Sequence, residues 1–264
     1  MPPARRNYRI HPLPSAVLLS SIALLSQAQQ PSLSSAKAPS MTAEQVVSRM
    51  EHENQERAHA LGEFQGTRIY RMEYRGFPSN RDAEMTVQAV YKSPDTKEFT
   101  IVSQSGSKFI IDRVFMKLLE GEKEALQPEN RERTTLNATN YDFTLEQFEA
   151  TPGAGQYVLS VQPKSKNKFL YRGKIWVDAG DFAVTRIEAE PAKNPSFWIK
   201  KSEIRHKYIK VGDFWLPAEN HTESQLRLGG RAVLSIEYKD YKVTAATQLN
   251  RVESAQKAST GLSR

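Results

Sequence analysis

The side chains with chemistry to offer include five histidines, Ser-x-x-Lys spacings and a group of carboxylates. On a helix, Ser-x-x-Lys sets an amine beside a hydroxyl, as in serine acyl-enzymes. Here it occurs as Ser105-Gly-Ser-Lys108 and as Ser165-Lys-Asn-Lys168. The second lies in a polar stretch that reads as a hairpin turn, and neither companion motif of that class is present. His52 and His59 lie seven residues apart on a predicted helix. Two helical turns separate them by about 10 Å, too far for one metal ion without another segment. His206 and His221 fall on neighbouring predicted strands with Glu219 and Glu223 nearby, and read as surface-facing strand residues. His11 belongs to the leader described below. Asp178-Ala-Gly-Asp181 is better explained by turn chemistry than as paired carboxylates with Glu188 and Glu190. Gly153-Ala-Gly155 is an isolated Gly-x-Gly, and no nucleophile elbow, phosphate loop or metalloprotease motif occurs. The expectation is a protein that is not an enzyme, with no catalytic residues, no metal site and no cofactor.

The elements around these residues are mostly strands. Thr42 opens a helix with Gln45 completing a capping box, Val46, Val47 and Met50 form its apolar stripe, and Gly62 is the expected stop. Three runs of period-two alternation follow, at Arg68–Arg75, Ala83–Tyr91 and Glu98–Ser105. In the first, Tyr70, Met72 and Tyr74 share one face and Arg71, Glu73 and Arg75 the other. Met85, Val87, Ala89 and Tyr91 alternate in the second, and Phe99 and Ile101 share a face in the third. From Lys108 to Leu126 the period changes: Ile110, Ile111, Val114, Phe115, Leu118 and Leu119 mark an amphipathic helix, closed by Gln127-Pro128. Asn137 to Phe148 fits either a short strand or a packed loop. From Tyr157 to Val243 the chain reads as one antiparallel meander, with hairpins at Lys210–Phe214 and Leu228–Arg231. Within it, Trp176 faces opposite to Tyr171 and Ile175. The expected fold is mainly β with α (α+β): a curved antiparallel sheet forming a half-open β-barrel, with helices covering its open face.

Composition and address narrow the setting. The chain has 264 residues, 39% apolar and 25% charged, in the range of soluble globular proteins. Arg5, Arg6 and Arg9 precede the apolar run Ala16–Leu25, and Ser26-Gln-Ala28 offers small residues for cleavage, the parts of a secretory signal peptide. The run rises only about 15 Å as a helix, half the hydrocarbon thickness. The expected organisation is a signal peptide at 1–28, a Ser/Ala/Pro-rich leader at 29–40, one domain at 41–246 and a polar, disordered tail at 247–264. Cysteine is absent, which excludes disulfides, thiolate metal sites and a lipidated cysteine. The net charge of +7 becomes +4 without residues 1–28, with 34 basic against 30 acidic side chains. That excess suits weak attraction to anionic membrane surfaces, and no basic-aromatic motif points to nucleic acid. The expected location is the periplasm.

A set of strand motifs gives a resemblance. Tyr157-Val-Leu-Ser-Val-Gln-Pro-Lys164, Gly173-Lys-Ile-Trp-Val-Asp178, Asp181-Phe-Ala-Val-Thr-Arg-Ile-Glu188 and Gly212-Asp-Phe-Trp-Leu-Pro217 follow one another in that order. Together with the preceding helix, strands and helix, this resembles the outer-membrane lipoprotein-sorting proteins of the LolA/LolB-like superfamily, over roughly residues 42–244. The resemblance implies an unclosed antiparallel barrel with helices as a lid over a hydrophobic cavity that holds lipoprotein acyl chains. A lid arginine matters in that family, and no local motif chooses among Arg68, Arg71 and Arg75. The membrane-anchored branch carries a lipidated cysteine, so the soluble carrier branch is the nearer one. The implied function is a periplasmic carrier that binds acyl chains of lipoproteins or lipids and moves them toward the outer membrane. The alternative is an envelope sensor or binding module that reads lipid or protein signals for a membrane partner. The implied partners are acyl chains or lipid and a transient membrane protein, with the chain a monomer. One face of each strand supplies the cavity candidates: Tyr70, Met72, Met85, Val87, Phe99, Ile101, Leu159, Tyr171 and Ile175.

Overall fold

A computed structural model describes residues 41–249 apart from 152, 153 and 195. The expected signal peptide and leader lie outside the described residues. So does the expected tail from residue 250 onward, while residues 246–249 form a turn of helix.

Helix α1 (Ala43–Ala60) begins as its sequence requires. The Thr42 amide donates to Gln45 Oε1 at 2.9 Å and the Gln45 amide donates to Thr42 Oγ1 at 3.3 Å, so two otherwise orphaned N–H groups are satisfied. Val46, Val47 and Met50 form its buried stripe. It does not stop at Gly62. The chain turns extended at Leu61, and Gly62 lies inside the first strand. A Cβ there would sit 2.6 Å from the Leu249 side chain and 2.9 Å from the Ala246 amide nitrogen. The glycine therefore serves a close approach of chain to chain rather than a helix cap.

The ten strands are β1 (Leu61–Arg75), β2 (Arg81–Lys92), β3 (Thr96–Gly106), β4 (Tyr141–Thr151), β5 (Ala154–Pro163), β6 (Tyr171–Asp178), β7 (Val184–Pro191), β8 (Ile199–Val211), β9 (Phe214–Leu226) and β10 (Arg231–Ala245). They form one open, curved antiparallel sheet in the order β3-β2-β1-β10-β9-β8-β7-β6-β5-β4. All its neighbours except β1 and β10 are consecutive in sequence, so hairpins build most of the sheet. The ambiguous stretch after Asn137 is strand β4, an edge strand paired only with β5. Most strands exceed the common five or six residues. β1 shows why: its buried and less buried positions alternate along almost its whole length, so each added residue pair buries another side chain.

Between the two edge strands runs a helical segment: α2 (Lys108–Ile110), a π-helical turn (Ile111–Phe115), α3 (Met116–Leu126) and α4 (Pro128–Thr134). The Met116 amide donates to the Ile111 carbonyl, the wide i→i+5 bond of a π turn. Gln127-Pro128 ends α3 as expected, and it also starts α4, which the sequence reading did not include. Gln127 is extended ahead of the proline, and Pro128 takes the first helical turn, where its missing N–H costs nothing.

The core has two main parts. Val46, Val47 and Met50 of α1 pack with Tyr157, Leu159, Ile175 and Ile187 of β5–β7. Ile110, Ile111, Phe115 and Leu119 of the second helical run pack with Tyr70, Met85, Val87 and Ile236 of β1, β2 and β10. A smaller cluster joins Phe64 to Phe214 and Leu216. On the other face, Trp176 is buried beneath Arg186, whose guanidinium lies 3.6 Å from the ring centroid.

Candidate functional site

Cross-strand register carries one row of side chains across the helix-bearing face. It runs Leu145, Leu159, Ile175, Ile187, His206, Asn220, Ile236, Tyr70 and Met85, each opposite the next. Both ends of the row are apolar and the middle is polar. The adjacent row holds Ile204, Thr222, Leu234 and Met72, and beyond it Ser202 and Ser224 share a buried 2.7 Å hydrogen bond. Asn220 also bonds His206 and accepts from Thr222. The face is thus two apolar lobes with a hydroxyl-and-amide strip on β8 and β9 between them.

The nine residues singled out from sequence divide between the lobes. Tyr70, Met85 and Val87 are buried under the α2–α3 run, with Met72 and Phe99 packed against the same cluster. Leu159 and Ile175 are buried under α1, with Tyr171 beside them. Ile101 lies opposite Val87 but is 40% exposed on edge strand β3. The register shifts between Thr86 and Val87, so Val102 has no opposite partner on β2.

A charged network joins the second helical run to the sheet. Arg68 of β1 is only 4% exposed, and its Nη1 donates to both carboxylate oxygens of Glu122 on α3 at 2.8 Å. Lys97 of β3 donates to Glu122 Oε2 at 2.8 Å. The Arg68 guanidinium lies 5.3 Å from the Phe99 ring and 5.1 Å from the Tyr238 ring. Strands β1 and β3 and helix α3 therefore meet at Glu122. Beside it a recess of about 320 Å³ is lined by Thr96, Lys97, Lys123, Leu126 and Pro128. Arg71 and Arg75 point the other way, Arg71 pairing with Glu84 and Glu237 and Arg75 with Asp82 and Glu73. Of the three arginines that the sequence left open, Arg68 is the one held against a helix.

Burial and charge oppose each other in this network. Burial disfavours the Glu122 carboxylate, but Lys97 and Arg68 outweigh it and hold the carboxyl below its ordinary range. Burial also works against the Arg68 cation, and Glu122 reverses that, so the guanidinium stays charged. For Lys97 burial wins, and its ammonium is easier to deprotonate than usual. Burial, reinforced by the Glu122 charge, pushes the Tyr70 hydroxyl up to about 12. His206 is pushed down to about 4 by burial, which Glu122 opposes only in part. That imidazole is neutral at pH 7 and accepts from the Asn220 amide.

His206 is the correction among the histidines. It shares the inner face with Ile204 and Tyr208, whereas His221, one register step away, is on the other face beside Glu219 and Glu223. No group of three or more His, Asp or Glu side chains suited to a metal ion occurs among the described residues. His52 and His59 are exposed on α1. Ser165 lies in the β5–β6 turn, and Lys168 pairs with Glu124 rather than with a serine. Asp178 is a turn residue whose Oδ1 accepts from the amides of Gly180 and Asp181. The inner face offers packing surface and hydrogen bonds, and a hydroxyl–imidazole contact, Ser235 Oγ to His221 Nδ1 at 3.3 Å, lies on the other face.

No family model matches the sequence. No curated protein matches it either. Among solved structures, an outer membrane lipoprotein-sorting protein domain from Vibrio parahaemolyticus is similar, with 12% identity over 74% of this chain and 91% of that one, at a TM-score of 0.41. A LolA superfamily protein from Nitrosomonas europaea is similar at 13% identity over 77% and 94%, with a TM-score of 0.36. The MucA/MucB complex of Pseudomonas aeruginosa contains a similar chain at 11% identity over 75% and 100%, with a TM-score of 0.25. The superfamily that the sequence motifs resemble is named in one of these solved structures. At these identities and scores the likeness does not bear on what this chain binds.

Proposed function

We propose that the chain is a periplasmic carrier, exported by a cleaved signal peptide, that holds the acyl chains of a lipid or lipoprotein on the inner face of its sheet and moves them toward the outer membrane. The observation that carries this reading is topological. The helical run leaves edge strand β3 and returns at the opposite edge strand β4. The apolar stripe of the run rests on Tyr70, Met85 and Val87, and in this reading the run crosses the open side of the curved sheet. Helix and acyl chain are alternative partners for the same surface. Covering an acyl chain is worth about 0.8 kcal/mol per methylene, ample to compete with one short helix.

The network at Glu122 suits a cover that opens. A buried ion pair is close to neutral overall, because desolvation offsets attraction. When the helix lifts, Arg68 regains water along with Glu122 and Lys97, so separating them costs far less than deleting one partner from the closed network. The His206–Asn220 strip gives a polar station between two apolar lobes, suited to the ester or amide end of an amphiphile. In this reading Tyr70, Met72, Met85, Val87, Phe99 and Ile101 line one lobe, and Leu159, Tyr171 and Ile175 line the other.

The test is titration of the purified protein with a fluorescent fatty acid, paired with native mass spectrometry of protein taken from its own envelope. Saturable binding and a co-purifying lipid or lipoprotein support the carrier. Failure of the probe to bind, with a tight lipid-free complex to one membrane protein, overturns it in favour of the sensor.

A further inference from the structure

Eight large apolar side chains are conspicuously exposed among the described residues, and five of them share one rim of the sheet. Phe77 (83% exposed) is in the β1–β2 turn, Phe109 (58%) begins α2 after β3, Leu228 (75%) is in the β9–β10 turn, and Phe197 (76%) and Trp198 (56%) end the β7–β8 connection. Antiparallel order puts all four connections at the same strand ends. They are also in contact. A Cβ on Gly76 would lie 2.9 Å from Gly230 Cα, the Arg227 amide donates to the Trp198 carbonyl at 2.9 Å, and Arg227 Nε donates to the Phe197 carbonyl at 2.7 Å. From β3 to β7 the rim crosses six inter-strand steps, about 30 Å at the usual strand spacing.

The charge of this rim is one-sided. Residues 75–81, 107–109, 192–201 and 226–231 contain eight lysines and arginines and no aspartate or glutamate. Arg75, Arg231 and Lys201 are paired with carboxylates from the strands. Arg81, Lys108, Lys193, Lys200 and Arg227 make no salt bridge among the described residues. Arg81 and Arg227 lie 5.3 Å from the rings of Phe109 and Phe197. The opposite strand ends are mixed, with Asp95, Asp178, Asp181 and Asp213 beside Lys92, Lys97 and Lys210.

Aromatic and leucine tips set among unpaired cations match the chemistry of an anionic bilayer surface. The rings and leucine enter the headgroup–acyl boundary while the cations stay with the phosphates. We infer that this rim is a membrane-docking edge that binds anionic lipid bilayers. It is independent of what occupies the inner face, so either reading stands or falls alone.

Vesicle flotation tests it, using three parts phosphatidylethanolamine to one part phosphatidylglycerol against pure phosphatidylcholine. The protein floats with the anionic vesicles, less so in high salt, and Trp198 emission shifts to the blue, a shift lost in Trp198→Phe. Phe77→Ser and Phe197→Ser each weaken binding roughly tenfold, and Lys193→Ser and Lys200→Ser roughly fivefold each. Phe77, Lys193 and Phe197 lie on connections and Lys200 is an exposed residue of β8, so circular dichroism and fatty-acid probe binding stay unchanged. Absence of flotation on anionic vesicles, equal flotation on neutral ones, or parental binding by the combined four-site variant overturns the inference.

Discussion

Replacing Glu122 by alanine removes one carboxylate and strands two cations. Arg68 is 4% exposed and loses both of its 2.8 Å bonds to Glu122. Lys97, with a side chain 15% exposed, loses its 2.8 Å bond at the same moment. Phe99 and Tyr238 face the guanidinium with or without Glu122, so those contacts leave the difference unchanged. Breaking a buried pair by removing one partner costs about 3–5 kcal/mol, and with the Glu122 side chain 30% exposed a loss of about 2–4 kcal/mol is expected. Lys97→Met is milder, at about 1 kcal/mol or less, because Arg68 keeps both bonds to Glu122. Arg68→Met combined with Glu122→Leu and Lys97→Met removes the three charges together and recovers most of the loss seen in Glu122→Ala. Urea unfolding followed by far-ultraviolet circular dichroism reads all three midpoints, with m-values as the check on two-state behaviour. A loss below about 1 kcal/mol for Glu122→Ala would refute the reasoning, since a guanidinium so enclosed cannot lose its counter-charge cheaply.

Other outcomes follow from the same geometry. His206 has a folded pKa of about 4 against an ordinary 6.5. Between those values the unfolded chain takes up a proton that the folded one refuses, so stability falls as pH drops from 6.5 to 4. The expected loss is about 2–3 kcal/mol, and pH-dependent denaturation of His206→Gln should lack it. Thr42→Ala removes half of the capping box and should lower stability by about 1 kcal/mol in urea titration. Gly173 has φ of 152°, and a Cβ there would sit 2.2 Å from the Glu188 carbonyl oxygen. Thermal unfolding of Gly173→Ala should show a loss of about 2–4 kcal/mol.

Much of the sheet was legible because alternation survives along nearly every strand. Arg68 was legible in principle: it has the same parity as Tyr70 and Met72, whereas Arg71 and Arg75 have the other. Glu122 follows Leu118 and Leu119 at helical spacing, and Lys97 shares parity with Phe99. A charge in phase with an apolar stripe was the available sign of the network. The partners were not legible, because β1, β3 and α3 meet only through tertiary packing. Gly62 misled because a helix stop and a close chain approach ask for the same residue. His206 and His221 looked alike in sequence. Which face each takes depends on the β8–β9 register, which shifts between Lys207 and Tyr208. The polar strip went unseen because Ser202, Thr222 and Ser224 are common on solvent faces too.

The central claim is that the helix-bearing face holds acyl chains. Its most direct test is labelling with a photoactivatable fatty acid, followed by peptide mapping. The account predicts saturable label on inner-face positions such as Tyr70, Met85, Leu159 and Ile175, competed by unlabelled fatty acid. Label confined to outer-face positions such as Arg71, Glu84 and Trp176, or none that saturates, would contradict it.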